Sequence, residues 1–96
     1  MMVAILDVPV KEHELHAAVN ALRPGLVDTR AFDGNLACEI LLDDDPSHFL
    51  IYELWQSEAH DHAYQAWRTT PEGTIPGFAE HLSGPFTVTQ YTVVDH

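Results

Sequence analysis

A chain of 96 residues is about one small domain's length, and its 46% hydrophobic and 20% charged residues suit a folded globular protein and exclude disorder. Four basic residues (Lys11, Arg23, Arg30, Arg68) against fifteen acidic ones give a formal charge of −11, a surface that repels phosphate backbones and anionic lipid. Nucleic-acid and membrane-surface roles are therefore not expected. The seven histidines offset the charge only below about pH 6.5. No apolar run approaches the roughly 18 residues of a membrane span, and the N-terminus lacks a signal peptide's basic-then-apolar layout, so a cytoplasmic protein is expected. Cys38 is the single cysteine, which leaves no internal disulfide and no cysteine-based zinc site.

Nothing in the chain reads as a linker, a repeat or a low-complexity stretch, so residues 1–96 are expected to form a single domain. Met2 to Val10 predicts a first strand, rich in Val, Ile and Leu and ended near Pro9. Lys11 to Leu22 predicts a helix with Leu15, Val19 and Leu22 on one stripe, stopped by Arg23-Pro24-Gly25. Gly25 to Gly34 is expected to be irregular, with Asp33-Gly34 as a turn. Asn35 to Leu42 and His48 to Trp55 form a hairpin around the polar turn Asp43-Asp44-Asp45-Pro46-Ser47. Ser57 caps a helix reaching about Thr69, which Thr70-Pro71-Glu72-Gly73 breaks. A short helix is expected at about Pro76 to Leu82, and Phe86 to Val94 alternates as a fourth strand.

This order, β-α-β-β-α-(α)-β, points to an α+β fold of the ferredoxin-like, split-βαβ kind, a four-stranded antiparallel sheet with helices on one face. The third strand carries Phe49, Ile51 and Trp55 on one side and Leu50, Tyr52 and Leu54 on the other. Both faces are apolar, and a second copy of the same sheet is the economical cover, giving a symmetric homodimer.

Histidine abundance invites a metal reading that the spacings refuse. His60 and His62 diverge by about 200° around a helix, and His13 and His16 share the face opposite Leu15, Val19 and Leu22. No His-Glu-x-x-His pattern occurs. On the second helix, His60, Ala63, Tyr64 and Trp67 fall together while Asp61, Gln65 and Arg68 point away, with His62 nearer to them. Such a face is either a core stripe whose polar tips find partners or the wall of a pocket, in which small alanines leave room and polar tips meet a ligand. His81 lies at the edge of a Phe78/Leu82 face, either idle or catalytic, and Arg30 either makes an ion pair or clamps an anionic or phenolate substrate. Cys38 is most simply a small buried hydrophobe. Phosphate cradles and nucleophile elbows are absent, as is any nucleotide or flavin signature.

Thr29-Arg30-Ala31 with Gly34, Asp45-Pro46-Ser47-His48-Phe49 and Tyr52-Glu53-Leu54-Trp55-Gln56-Ser57 together resemble the antibiotic biosynthesis monooxygenase (ABM) domain. Ala63-Tyr64-Gln65-Ala66-Trp67-Arg68 and a later Gly-Pro resemble a subgroup of small members similar to quinol monooxygenases, and the match runs from about Val3 to Val94. The resemblance implies a dimeric α/β barrel. It implies oxidation of quinols or polyketide phenols without metal or flavin, or haem degradation. Tyr64 stands where the haem-degrading branch has a pocket tryptophan and quinol-oxidising relatives a histidine, and Thr74 stands where the haem branch has a histidine. The departure at Thr74 turns the expectation away from haem, and Tyr64 stands in place of the histidine usual in quinol-oxidising relatives.

The function expected is a cofactor-independent monooxygenase acting on a hydroquinone, phenolic or polyketide-like aromatic substrate with O₂. Its substrate supplies the electrons; the protein positions the ring, takes a proton and excludes water. His60 is the expected base with His81 second, and Tyr64, Trp67, Arg30 and Trp55 are expected to bind substrate. No cofactor and no metal are expected. The alternatives are a non-catalytic dimeric barrel that binds a small molecule, or an isomerase or lyase on the same scaffold.

Overall fold

The computed structural model describes residues 1–96. The elements are β1 (Met2–Pro9), α1 (Leu15–Ala31), β2 (Asn35–Leu41), β3 (His48–Trp55), α2 (Glu58–Arg68), a single 3₁₀ turn (Ala79–His81) and β4 (Thr87–Thr92). The sheet order is β2-β3-β1-β4 with every pairing antiparallel, so the fold is the expected α+β, ferredoxin-like one. Period-two alternation sets the layers. Met2, Ala4, Leu6 and Val8 of β1 and Phe49, Ile51, Glu53 and Trp55 of β3 are buried on one side. The helices cover that side, where Ala18, Val19, Leu22, Leu26 and Tyr64 join the core. Val3, Ile5, Leu50, Tyr52 and Leu54 stand half-buried on the other side.

The first helix departs from expectation at both ends. Lys11–Glu14 forms a turn with His13 in the left-handed region (φ 65°), so α1 starts only at Leu15. It then runs through Pro24-Gly25 to Ala31. A mid-helix proline costs about 3 kcal/mol. Burying Leu22 and Leu26 on the same stripe returns about 1.5–3 kcal/mol each, so tertiary packing outweighs the local breaker. Pro24 itself lies on the exposed side. Arg30 accordingly sits in the helix's last turn and not on a loop. Gly34, with φ 86°, makes the expected turn, and a Cβ there would fall 2.2 Å from Cγ of His60, so only glycine fits.

The short helix expected at Pro76 to Leu82 is reduced to the 3₁₀ turn, because Gly77 takes a positive φ of 77° and breaks the helical path. The turn is stitched to the end of β1 by Lys11 N–H to His81 C=O and Ser83 N–H to Pro9 C=O. β4 is an edge strand exposed along its whole length.

His48 opens β3 between two carboxylates: Nδ1 lies 2.8 Å from Asp7 Oδ1 and Nε2 lies 2.9 Å from Asp43 Oδ2. These hydrogen bonds, Asp7's first, raise the imidazole pKa, while the backbone N–H of Asp45 and then His48 lower that of Asp43. A raised histidine pKa stabilises the fold fully below its free value of about 6.5, and the contribution is lost as pH rises through the folded value. Melting temperatures of His48→Gln should therefore fall below wild type at about pH 5.5 and converge with it by about pH 9. A pH-independent difference would show that the two carboxylates do not bias the ring.

Candidate active site

The second helix begins where expected, with Ser57 Oγ accepting from the His60 N–H. It is rotated from the expected setting, however. Its buried residues are Asp61 and Tyr64, with Gln65 and Arg68 half-buried beside them, whereas Ala59, Ala63 and Ala66 are exposed. Asp61, Tyr64, Gln65 and Arg68 form an i, i+3, i+4, i+7 stripe as regular as the one expected. Hydropathy turns alanines inward, but burial of polar groups is tolerated where they find one another. Here they do. Asp61 accepts from Gln65 (3.4 Å) and from Gln90 of β4 (3.0 Å), and every side-chain nitrogen or oxygen wholly shut off from the surface and the cavity has a partner.

Arg68 is the most heavily bonded of these side chains. Its Nε donates to Tyr64 Oη (2.7 Å), Nη1 to Gly73 C=O (3.0 Å), and Nη2 to Gly25 C=O (2.8 Å) and Thr29 Oγ1 (2.9 Å). The Thr29 hydroxyl donates to Gly25 C=O (3.0 Å), so the 2.7 Å contact between Thr29 Oγ1 and Tyr64 Oη is filled by the phenol proton. Burial raises the Tyr64 pKa, opposed by the Thr29 and Arg68 hydrogen bonds. Tyr64 is thus a neutral phenol whose donor and acceptor are both committed within the fold.

Between this network, α1, the sheet and the Thr69–Phe86 segment lies a cavity of about 390 Å³. Leu6, Val8, Leu22, Leu26, Ile51, Ile75, Phe78 and Leu82 supply its apolar walls, and Glu53, Tyr64, Gln65, Arg68 and Thr29 its polar points. Glu53 is 2% exposed, and its only side-chain partner is the indole N–H of Trp55, at 3.2 Å from Oε1. Burial is the largest influence on its carboxyl, pushing the pKa from 4.5 up to about 7, with the Asp61 charge adding and the Trp55 hydrogen bond and Arg68 opposing. A carboxyl that titrates near neutrality in an apolar chamber is equipped to take a proton at physiological pH.

The expected site residues distribute as follows. Tyr64 lines the cavity. Trp55 is fully buried behind it, with ring centroids 4.9 Å apart. Trp67 packs on Phe32 and Tyr64, with the Arg68 guanidinium 4.9 Å above its ring. His60 is not brought to the cavity. Its Nδ1 lies 2.7 Å from Ser57 Oγ, its ring covers Gly34, and Nε2 is 3.7 Å from Asp33 Oδ2. His81 Nδ1 lies 2.8 Å from Glu14 Oε1, also away from the cavity. Arg30 holds Cys38 C=O through Nε and Nη2 (3.1 and 2.8 Å) and lines a separate groove. Burial, then the Glu53 charge, push the Cys38 thiol up to about 12, which makes it no nucleophile. His62 is exposed. No cluster of three or more His, Cys, Asp or Glu side chains is placed to hold a metal ion.

Sequence reasoning missed Glu53, Thr29 and Arg68. For Glu53 the signal was present, because its strand position shares the parity of Phe49, Ile51 and Trp55, and a carboxylate at an inward strand position is rare.

The family model described as "Antibiotic biosynthesis monooxygenase" matches residues 1–73. The chain belongs to the antibiotic biosynthesis monooxygenase family. Solved structures agree with the fold along the whole chain. A Nitrosomonas europaea protein assigned to the antibiotic biosynthesis monooxygenases superposes with a TM-score of 0.82 at 23% identity, covering 99% of this chain and 100% of that one. Rv0793 from Mycobacterium tuberculosis gives 0.77 at 20%, covering 99% and 96%. A variant of SnoaB, a cofactor-independent oxygenase from Streptomyces nogalater, gives 0.78 at 9%, covering 99% and 94%. No protein of curated function matches the chain in sequence.

Glu53 also leaves a thermodynamic signature. The unfolded carboxyl releases its proton near 4.5 and the folded one near 7, so between these values the fold holds more protons and loses stability as pH rises. The loss attributable to Glu53 is about 3 kcal/mol. Glu53→Gln should abolish that slope. Urea titrations should find the variant more stable than wild type at about pH 8 but not at about pH 5; parallel curves would place Glu53's pKa at its ordinary value.

Proposed function

We propose that the cavity is the active site of a cofactor-independent monooxygenase that oxidises a hydroquinone, phenolic or polyketide-like aromatic with O₂. The observation carrying this proposal is Glu53, a carboxyl raised to about 7 and facing an apolar cavity with one oxygen unpartnered. Family membership and the name of the SnoaB neighbour support it.

Glu53, ionised in part of the population at neutral pH, accepts the substrate's O–H proton, and the resulting anion passes one electron to O₂. Recombination of the radical pair forms a C–O bond at a ring carbon. Cleavage of the O–O bond then leaves one oxygen on carbon and releases the other as water, so a hydroquinone becomes a hydroxyquinone. The apolar walls exclude bulk water from the intermediates, and the rings of Phe78 and Phe86 at the cavity offer flat surfaces to an aromatic ligand. Glu53 thereby takes the role expected of His60 or His81, neither of which faces the cavity. Tyr64 walls the cavity without donating to an oxyanion, its proton being held by Thr29. Trp55 and Trp67 support the site from behind.

The assembly proposed is a homodimer in which the sheet face bearing Val3, Ile5, Leu50, Tyr52 and Leu54 meets its copy, each of these residues being half-buried in the single chain. A cytoplasmic location is part of the same proposal; no helix is long and apolar enough to cross a membrane.

Oxygen uptake with a panel of hydroquinones and anthrones tests the activity. Glu53→Gln should lower kcat/KM by about 10²–10⁴ and remove the limb of the pH profile that rises through about 7, with His62→Ala as the surface control. If His60→Ala removes that limb instead, the base is His60. Ligand-induced stabilisation with no uptake for any substrate would favour a binding barrel. Light scattering at micromolar concentration should give twice the chain mass of 10.8 kDa, and Leu50→Asp should give aggregated or unfolded chain; a monomer mass for wild type would refute the dimer.

A further inference from the structure

The chain's few cations are unevenly placed. Of Lys11, Arg23, Arg30 and Arg68, Arg68 is committed inside the fold, whereas Arg23 and Arg30 both line a second cavity of about 360 Å³ with Val19, Leu26, Ile40 and Leu42. The two arginines are seven residues apart on α1, two helical turns or about 10 Å along its axis. The groove lies where α1 crosses β2, an outer strand of the sheet, and Ile40 pairs with Ile51, whose side chain is buried on the helix side. It is therefore on the side opposite the proposed dimer face. Leu26 is the one residue it shares with the cavity of Glu53.

Both guanidiniums keep donors to spare. Arg30 spends Nε and one Nη2 hydrogen on Cys38 C=O, which fixes its plane while leaving Nη1 uncommitted. Arg23 spends only Nε, on Asn20 Oδ1 (3.2 Å). Leu42, at the groove's end, is 54% exposed, so apolar surface is available for cover. The combination is a groove of four aliphatic side chains and two cations in a chain of charge −11. We propose that this groove binds an apolar small molecule bearing one carboxylate, its head on Arg23 and Arg30 and its body over Val19, Leu26, Ile40 and Leu42. Planar guanidinium donors match a carboxylate. The surrounding negative charge disfavours a polyanion more strongly than a monoanion. The volume falls within the range of about 300–1,000 Å³ typical of small-molecule sites.

Decanoate, decanol and decyltrimethylammonium are the probes, titrated into ¹⁵N-labelled full-length protein. Decanoate should give saturable shifts centred on Arg23–Arg30 and Ile40–Leu42. Arg23→Gln and Arg30→Gln should each weaken it about tenfold, added salt should weaken decanoate alone, and decanol and the cation should bind more weakly. Leu42→Ser, at an exposed position that keeps both arginines, should also weaken decanoate, which guards against a folding defect in Arg30→Gln. The proposal is overturned if the shifts centre on Thr74–Phe86, if decanol binds as tightly as decanoate, or if the double glutamine variant binds unchanged. It is equally overturned if that variant loses a dimer mass that wild type shows, since a second chain would then occupy the groove. None of these readouts depends on oxygenase turnover, so the two proposals fail separately.

Discussion

Arg68 joins α1, α2 and the loop after α2 through one planar group, and much of the surrounding sequence follows from it. Its Nη2 reaches Gly25 C=O and Thr29 Oγ1, so α1 must persist as a helix past Pro24 for these acceptors to stand in line. A Cβ at Gly25 would lie 2.7 Å from Ile75 Cδ1 and 3.4 Å from Nη2 itself, so a side chain there would push Ile75 aside. Nη1 holds Gly73 C=O, fixing the segment that leads to Ile75 and Phe78 over the cavity. Hydrogen bonds to a charged donor are worth about 1.5–3 kcal/mol each where buried, enough in sum to outweigh a mid-helix proline.

The same bonding decides which groups remain free for chemistry. With Arg68 and Tyr64 saturated, the cavity's polar wall contains a cation that neutralises its surroundings but cannot readily turn toward a ligand. Trp55 gives Glu53 one hydrogen bond, and desolvation still prevails. The carboxyl is left near neutrality because the attractive charge of Arg68 is shared among other acceptors and the nearby Asp61 opposes it.

The element order, the hairpin, the Ser57 cap and the two apolar faces of β3 were legible in the sequence because each rests on a period of two or on a local turn. The extent of α1 was not, since Pro24 and Gly25 are breakers by local rule and what outweighs them, the burial of Leu22 and Leu26 and the Arg68 bonds to Gly25 and Thr29, depends on elements distant in sequence. The face of α2 was misassigned for a related reason: Asp61 and Arg68 look solvent-facing until their partners Gln90, Thr29 and Gly73 come from other elements, and Gln65 turns in with them by bonding to Asp61. Tyr64 was placed on the inward face because it belongs to both candidate stripes. His60 drew attention by residue type, but its nearest partners, Ser57 and Gly34, make it part of the cap and the turn.

Charge conservation explains why a locked guanidinium and a free carboxyl suit the proposed chemistry. Creating a new charge in an apolar chamber costs several kcal/mol. When Glu53 takes a phenolic proton, the negative charge moves from carboxylate to substrate and the chamber's total is unchanged. Transfer of an electron to O₂ moves that charge again without adding one. Arg68, holding its position through Gly25, Thr29, Gly73 and Tyr64, supplies a fixed positive potential through each of these states with no reorganisation. A mobile arginine or a histidine titrating within the chamber would instead change its charge or geometry at each step. In this fold the histidines stand outside the cavity, and the one group that changes protonation is the one whose burial already sets it near neutral pH.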